Sequence, residues 1–276
     1  MPSLHLQNWI RWSSPDYYTM FVKSWIPFNA WSMDSFYDES IPRKTDRHII
    51  DFIKENPNKF RNKIINLLGH NGVEADLFFS HLEGLDRELE SHTLENRGER
   101  VSFSNIRLSS NPISVKNIEY GVYKYKCERI TGQTPSWKCQ IMKKSDSSTI
   151  CQFSLPRWNL NDFNNNSDFL ALTSETQKYQ LERCFKCIDP RPVAKVVLPV
   201  ISKKGKEIAP PKCIVICESR KRFFTDDKVL ISKALIEILY SLRCMMFHGS
   251  LDPTEANQGV YEHALYIMNI LIKELV

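Results

Sequence analysis

A chain of 276 residues with 37 Lys and Arg against 32 Asp and Glu, formal charge +5, is long enough for one large domain or two modest ones. It contains no run of eighteen apolar residues, and Met1 to Ile10 lacks the basic-then-apolar form of a secretory signal. These features argue against a membrane-spanning or exported chain, and the expectation is a soluble, cytoplasmic protein.

Eight cysteines without a secretory context read as reduced thiols. Cys184 and Cys187 form a C-x-x-C that could be combined with Cys213 and Cys217 into a zinc site. The first pair, however, sits in a helical pattern, and Cys213-Ile-Val-Ile-Cys217 reads as a buried strand. Buried thiols, with no metal and no cofactor, are the expectation.

In chain order, Ser14-Pro15-Asp16 starts a helix rich in aromatics: Tyr17, Tyr18, Phe21, Trp25, Phe28, Trp31 and Phe36. Their three- and four-residue spacing predicts packing, and Pro27 should kink or split the helix. Thr45-Asp46 opens a short helix interrupted by Pro57. Another follows through Phe60, Ile64, Ile65 and Leu68 to Gly69. Val73 to Ser91 reads as a helix with Leu77, Phe78, Leu82, Leu85 and Leu89 on its buried side.

Near Arg97 the pattern changes to alternation rich in Val, Ile, Tyr and Thr, seen in 101–106, 118–130 and 148–155. This predicts several short antiparallel strands, followed by an asparagine-rich loop from Asn159 to Asp168 and a helix from Thr173 to Ile188. Ala194–Ile201 and Cys213–Cys217 suggest a hairpin joined by a basic turn. Lys203, Lys204 and Lys206, with Arg220, Lys221 and Arg222, could neutralise phosphates along an RNA, or could simply form a solvated surface.

Thr225-Asp226-Asp227 caps a long apolar helix ending at His248, followed by Gly249 as a helix-end glycine. Asp252, Pro253 and Glu255 then read as cap, first-turn proline and capping-box acid of a last helix, Pro253 to Glu274. The elbow joins a permanent cation, Arg243, to a residue that titrates near neutrality, His248. Positions five apart leave a helix roughly 140° from one another. Convergence of the two side chains therefore requires a fraying last turn that lets the His248 ring swing back. The alternative is an Arg243 paired with Glu237, Glu255 or Glu262 and a His248 that only caps the helix end.

Arg243-x-x-x-x-His248 at the end of a buried helix, with Tyr240-Ser241-Leu242 before it and Gly249, a turn and an apolar helix after it, resembles the HEPN superfamily over the last fifty or so residues. The resemblance implies an α+β chain: a HEPN-like helical bundle with an inserted small antiparallel sheet. Residues 1–96 would form its amino-terminal helices, 97–220 the insertion and 221–276 the hairpin carrying the motif. It further implies a metal-independent endoribonuclease, a toxin or antiviral effector, cutting single-stranded or loop RNA such as tRNA anticodon loops. In that chemistry Arg243 steadies phosphoryl charge and His248 moves a proton.

Family members supply the second proton carrier by dimerising so that two motifs line one cleft, which implies a homodimer with the end of the His248 helix near the interface. An antitoxin or sensor protein is a further expected partner. Family members commonly have a polar residue after the arginine, and this chain has Cys244. That substitution favours the competing reading, a catalytically inactive HEPN-like module that binds RNA, a nucleotide or a protein. A zinc enzyme using the scattered Cys and His residues is the other open class, whereas a helix-turn-helix DNA reader lacks a basic recognition face.

Overall fold

In a computed structural model, which describes residues 15–38, 45–96, 98–108, 111–200 and 212–276, the chain is α+β with small antiparallel sheets. It divides into two units: Met1–Ile106 with Val193–Val276, and Arg107–Pro192. The second unit lies inside the 97–220 span expected of the insertion, and the strands after residue 212 belong to the first unit.

The first unit is mainly helical. Helix α1 (Tyr17–Phe36) is capped by Asp16, whose carboxylate accepts the Thr19 N–H. It runs unbroken through Pro27, which was expected to kink or split it. Buried Trp25 and Phe28 hold the helix on both sides of the proline. The carbonyl that Pro27 leaves without a donor belongs to exposed Lys23, where water can serve it. Phe21, Trp25 and Phe28 are buried, with Phe28 edge-on to Phe60, so the aromatic stripe is packing.

Helices α2 (Asp46–Glu55), α3 (Lys59–Leu67) and α4 (Val73–Ser91) follow, α2 capped by Thr45 and α3 by Asn58. Leu77, expected on the buried side of α4, is exposed. A two-residue ribbon pairs β1 (Glu95–Asn96) with β2 (Glu99–Arg100). The stretch 101–106, expected to be a strand, makes a turn instead.

The second unit is a four-stranded meander of β3 (Val115–Tyr120), β4 (Tyr123–Ile130), β5 (Ser136–Lys143) and β6 (Thr149–Leu155). Alternation puts Tyr125, Cys127, Cys139, Ile141, Cys151 and Phe153 on one buried face. The asparagine-rich stretch expected as loop holds two short helices, α5 (Leu160–Asn164) and α6 (Ser167–Leu170). Asn159 and Asn166 are their N-caps, which explains the composition. Helix α7 (Glu175–Lys186) packs Leu181, Cys184 and Phe185 onto the sheet.

Back in the first unit, β7 (Cys213–Cys217) pairs with β8 (Arg222–Thr225) rather than with the 194–201 segment expected as its partner. Residues 196–198 of that segment instead lie along the other side of β8, through a Val197 bridge to Phe224 and the Leu198 N–H donating to the Phe223 carbonyl at 2.9 Å. Helix α8 (Lys228–Phe247) is apolar on most sides and packs on α2 and α3. The last helix, α9 (Glu255–Ile272), packs chiefly on α1 and α4, and a buried hydroxyl ties it to α8: Tyr261 donates to the Leu242 carbonyl at 3.1 Å.

Candidate functional site

The elbow after α8 is set by its backbone. The His248 N–H donates to the Cys244 carbonyl at 3.0 Å, the Gly249 N–H to Met246 at 3.3 Å and the Ser250 N–H to Met245 at 3.0 Å. With Gly249 at φ +65° this is a Schellman closure, which uses the carbonyls a helix end leaves over. The turn that follows differs from the expected restart. Thr254, not Asp252, occupies the cap of α9, and Asp252 offers its backbone carbonyl to the Thr254 N–H and to the Asn257 side chain.

Arg243 projects toward α1 and α2. Its guanidinium pairs with Asp46 at 2.8 Å and lies over the Phe247 ring at 4.4 Å. The Arg243 side chain is 15% exposed and Asp46 48%, so the pair sits at the mouth of a cleft rather than in the core. That cleft, about 10 Å³ and thus room for little more than one water, is also lined by Trp25, Asn29, Ser32 and Tyr240. The Trp25 indole Nε1 is buried there with no hydrogen-bond partner among the described residues. Burial, with a hydrogen bond to Cys244, pushes the Tyr240 phenol up, so it remains a neutral hydroxyl.

Asp46 was not among the carboxylates expected for Arg243. Glu237 is already taken by Arg47 and Lys54. The link between Arg243 and the start of α2 joins positions nearly two hundred residues apart, and no local spacing announces it.

His248 is exposed, and its ring has no hydrogen-bond partner among the described residues. Because the backbone stays in helical register to His248, the last turn does not fray as expected, and the two side chains leave α8 roughly 140° apart. Arg243 is thus joined to Asp46, His248 faces solvent, and no bond connects them within one chain.

No protein-family model, curated protein or solved structure matches the chain.

The basic residues expected to contact RNA divide three ways. Lys203, Lys204 and Lys206 lie outside the described residues. Arg220, within the β7–β8 turn, and Arg222, just after it, reach back to α4: Arg220 to Glu83 at 2.8 Å, and Arg222 to Asp86 at 2.6 Å and Glu90 at 2.9 Å. Asp86 is fully buried, and burial raises its carboxyl despite Arg222. The charge of both arginines is therefore largely spent inside the protein, pinning the hairpin to α4. Lys221 occupies the turn itself at φ +50°.

Of the cysteines that the sequence offers as zinc ligands, Cys184 is fully buried in the core of the second unit. Cys213 and Cys217 end β7 in the first unit. No group of three His, Cys, Asp or Glu that could hold a metal ion occurs among the described residues, nor does any helix long and apolar enough to cross a membrane.

Proposed function

We propose that this chain is a metal-independent endoribonuclease of HEPN type that cuts single-stranded or loop RNA, tRNA loops included, as a cytoplasmic toxin or antiviral effector. The observation that carries the reading is the placement at one helix end of a cleft-facing arginine and, five residues on, a solvent-facing histidine that has no partner among the described residues.

In the reaction, an RNA 2′-hydroxyl attacks the adjacent phosphorus and the bond to the 5′-oxygen of the next nucleotide breaks, leaving a 2′,3′-cyclic phosphate. His248 moves a proton. Arg243 stabilises the negative charge on the phosphoryl oxygens, exchanging the half-exposed Asp46 carboxylate for phosphate. Unstacked nucleotides suit a small composite cleft shared by two copies, which favours loops over duplex. A second proton carrier is required, and a second copy of the chain is the proposed source. An antitoxin or sensor protein would control it.

The test is incubation of purified protein with total RNA in chelator, followed by end mapping. The expected result is cleavage with cyclic-phosphate ends, reduced at least ~100-fold by Arg243→Ala or His248→Ala. Equal cleavage by either variant overturns the reading.

A second reading is favoured by the Arg243–Asp46 pair and by Cys244 beside the arginine: an inactive HEPN-like module that binds RNA, a nucleotide or a partner protein. It predicts RNA retention in the same assay with no new ends.

A further inference from the structure

At one end of the second unit's sheet, the core-facing side carries donors that nothing accepts. Arg129 on β4 stands directly opposite Trp137 on β5. The Arg129 N–H is spent on the other side, on the Ser114 carbonyl at 2.6 Å. Arg129 and Trp137 therefore form a non-hydrogen-bonded pair, the kind that sets two Cα atoms only about 4.5 Å apart. The Arg129 Nε and the Trp137 Nε1 are both buried with no hydrogen-bond partner among the described residues. The guanidinium makes one long bond, Nη2 to the Asn111 carbonyl at 3.4 Å, and no ion pair among those residues. Glu128, its neighbour in sequence, lies on the other face of the sheet and pairs with Lys126 at 2.6 Å. The same register puts Ser114 beside Arg129, one step before the start of β3, and Leu155 on β6 opposite Trp137.

We propose that this row, Ser114, Arg129 and Trp137, binds a phosphate group, free or at the end of a small molecule. The chemistry of the row selects that ligand. A guanidinium and an indole N–H only donate, so what completes them is an acceptor and not a metal cation. Buried donors left unmet cost stability, and a charged acceptor answers the arginine as well. The three side chains come from neighbouring strands about 4.8 Å apart. A tetrahedral phosphate offers oxygens in several directions and can take all three, whereas a flat carboxylate is used up by one edge of the guanidinium. All three residues are half-buried overall, so the row is reachable from solvent.

The inference goes beyond the nuclease reading. It involves neither Arg243 nor His248, and its readout is not cleavage.

The experiment is titration of the full chain with inorganic phosphate at constant ionic strength, followed by the six tryptophan indole N–H signals in proton–nitrogen correlation spectra. The signal that Trp137→Phe removes identifies Trp137. It is expected to shift saturably, with a Kd of about 1 mM. Arg129→Gln should weaken binding at least ~10-fold while the other indole signals keep their positions, which establishes that the variant folds. Arg129→Lys keeps the charge but not the fork, and should also bind less well than wild type. Acetate should bind at least ~10-fold more weakly than phosphate. Tighter binding of adenosine 5′-monophosphate than of inorganic phosphate marks a phosphate carried on a molecule; equal or weaker binding marks the free ion. A Trp137 signal that does not move, one that follows acetate equally, or one that responds unchanged in Arg129→Gln each overturns the proposal.

Discussion

Lys54 is 1% exposed, a burial that a lysine reaches only when its charge is answered. Its ammonium bonds Glu237 at 2.5 Å and Asp51 at 2.8 Å, and Arg47 donates to the same Glu237 from the other side at 2.6 Å. Burial alone would raise the Glu237 carboxyl, but the Arg47 hydrogen bond and the charges of Lys54 and Arg47 outweigh it and hold it below 4.5. A carboxyl depressed on folding contributes stability that is fully present above its unfolded value of 4.5 and lost as pH falls through its folded value. Glu237→Gln, which leaves Lys54 without its buried partner, should therefore cost about 3 kcal/mol at pH 7. Urea melts across pH should show the gap between variant and wild type closing below about 4.5. In sequence, Glu237 was weighed only as a mate for Arg243. Which basic residue it would meet depended on how α2 lies along α8, and spacing within one helix does not carry that.

At the scale of elements, the contact between α4 and α9 turns on a glycine. Gly84 sits inside α4, where glycine disfavours a helix by about 1 kcal/mol relative to alanine. A Cβ at that position would lie 2.3 Å from the His263 ring, so the missing side chain is the space His263 fills. The His263 Nδ1 is 3.1 Å from the His81 Nδ1, and His81 stacks on Tyr266 at 4.6 Å. Burial lowers both imidazoles, a charge on His263 lowers His81 further, and the Arg87 cation lowers His263 further. Gly84→Ala should consequently destabilise the protein by about 1–2 kcal/mol despite its better helix propensity. With His263→Ala in the background the sign should reverse, as thermal melts of the two pairs of variants would report. The extent of α4 was legible from its apolar period, but nothing in that period singles out Gly84. The reason for that glycine lies on another helix.

At the scale of the whole chain, the second unit is spliced into the first at one place. The Ala194 N–H donates to the Ile106 carbonyl at 2.8 Å, so the helical unit brings its two chain ends together on its own. Within the second unit, Arg107 meets Asp189 at 3.0 Å and the Asn111 N–H meets the Pro190 carbonyl at 2.8 Å. Replacing 107–192 with a short Gly-Ser linker should therefore leave the first unit folded, with a cooperative melt and an increased helical fraction by circular dichroism. Loss of cooperative unfolding would show that the helices depend on the sheet for more than chain continuity.

Taken alone, the sequence determined those features that are decided within a few residues of one another. Caps such as Asp227 on α8 and Ser174 on α7, the closing glycine at 249, the alternation of β4 and β6, and the apolar run of α8 are all local, because hydrogen bonds one turn away and side-chain periodicity decide them. Tertiary structure decided the partners: Asp46 for Arg243, Asp86 and Glu90 for Arg222, β8 rather than 194–201 for β7, and α1 with α4 for the last helix. Ion pairs and strand contacts form between segments far apart in the chain. Their choice is made by which apolar faces bury together, and a single sequence does not state that arrangement.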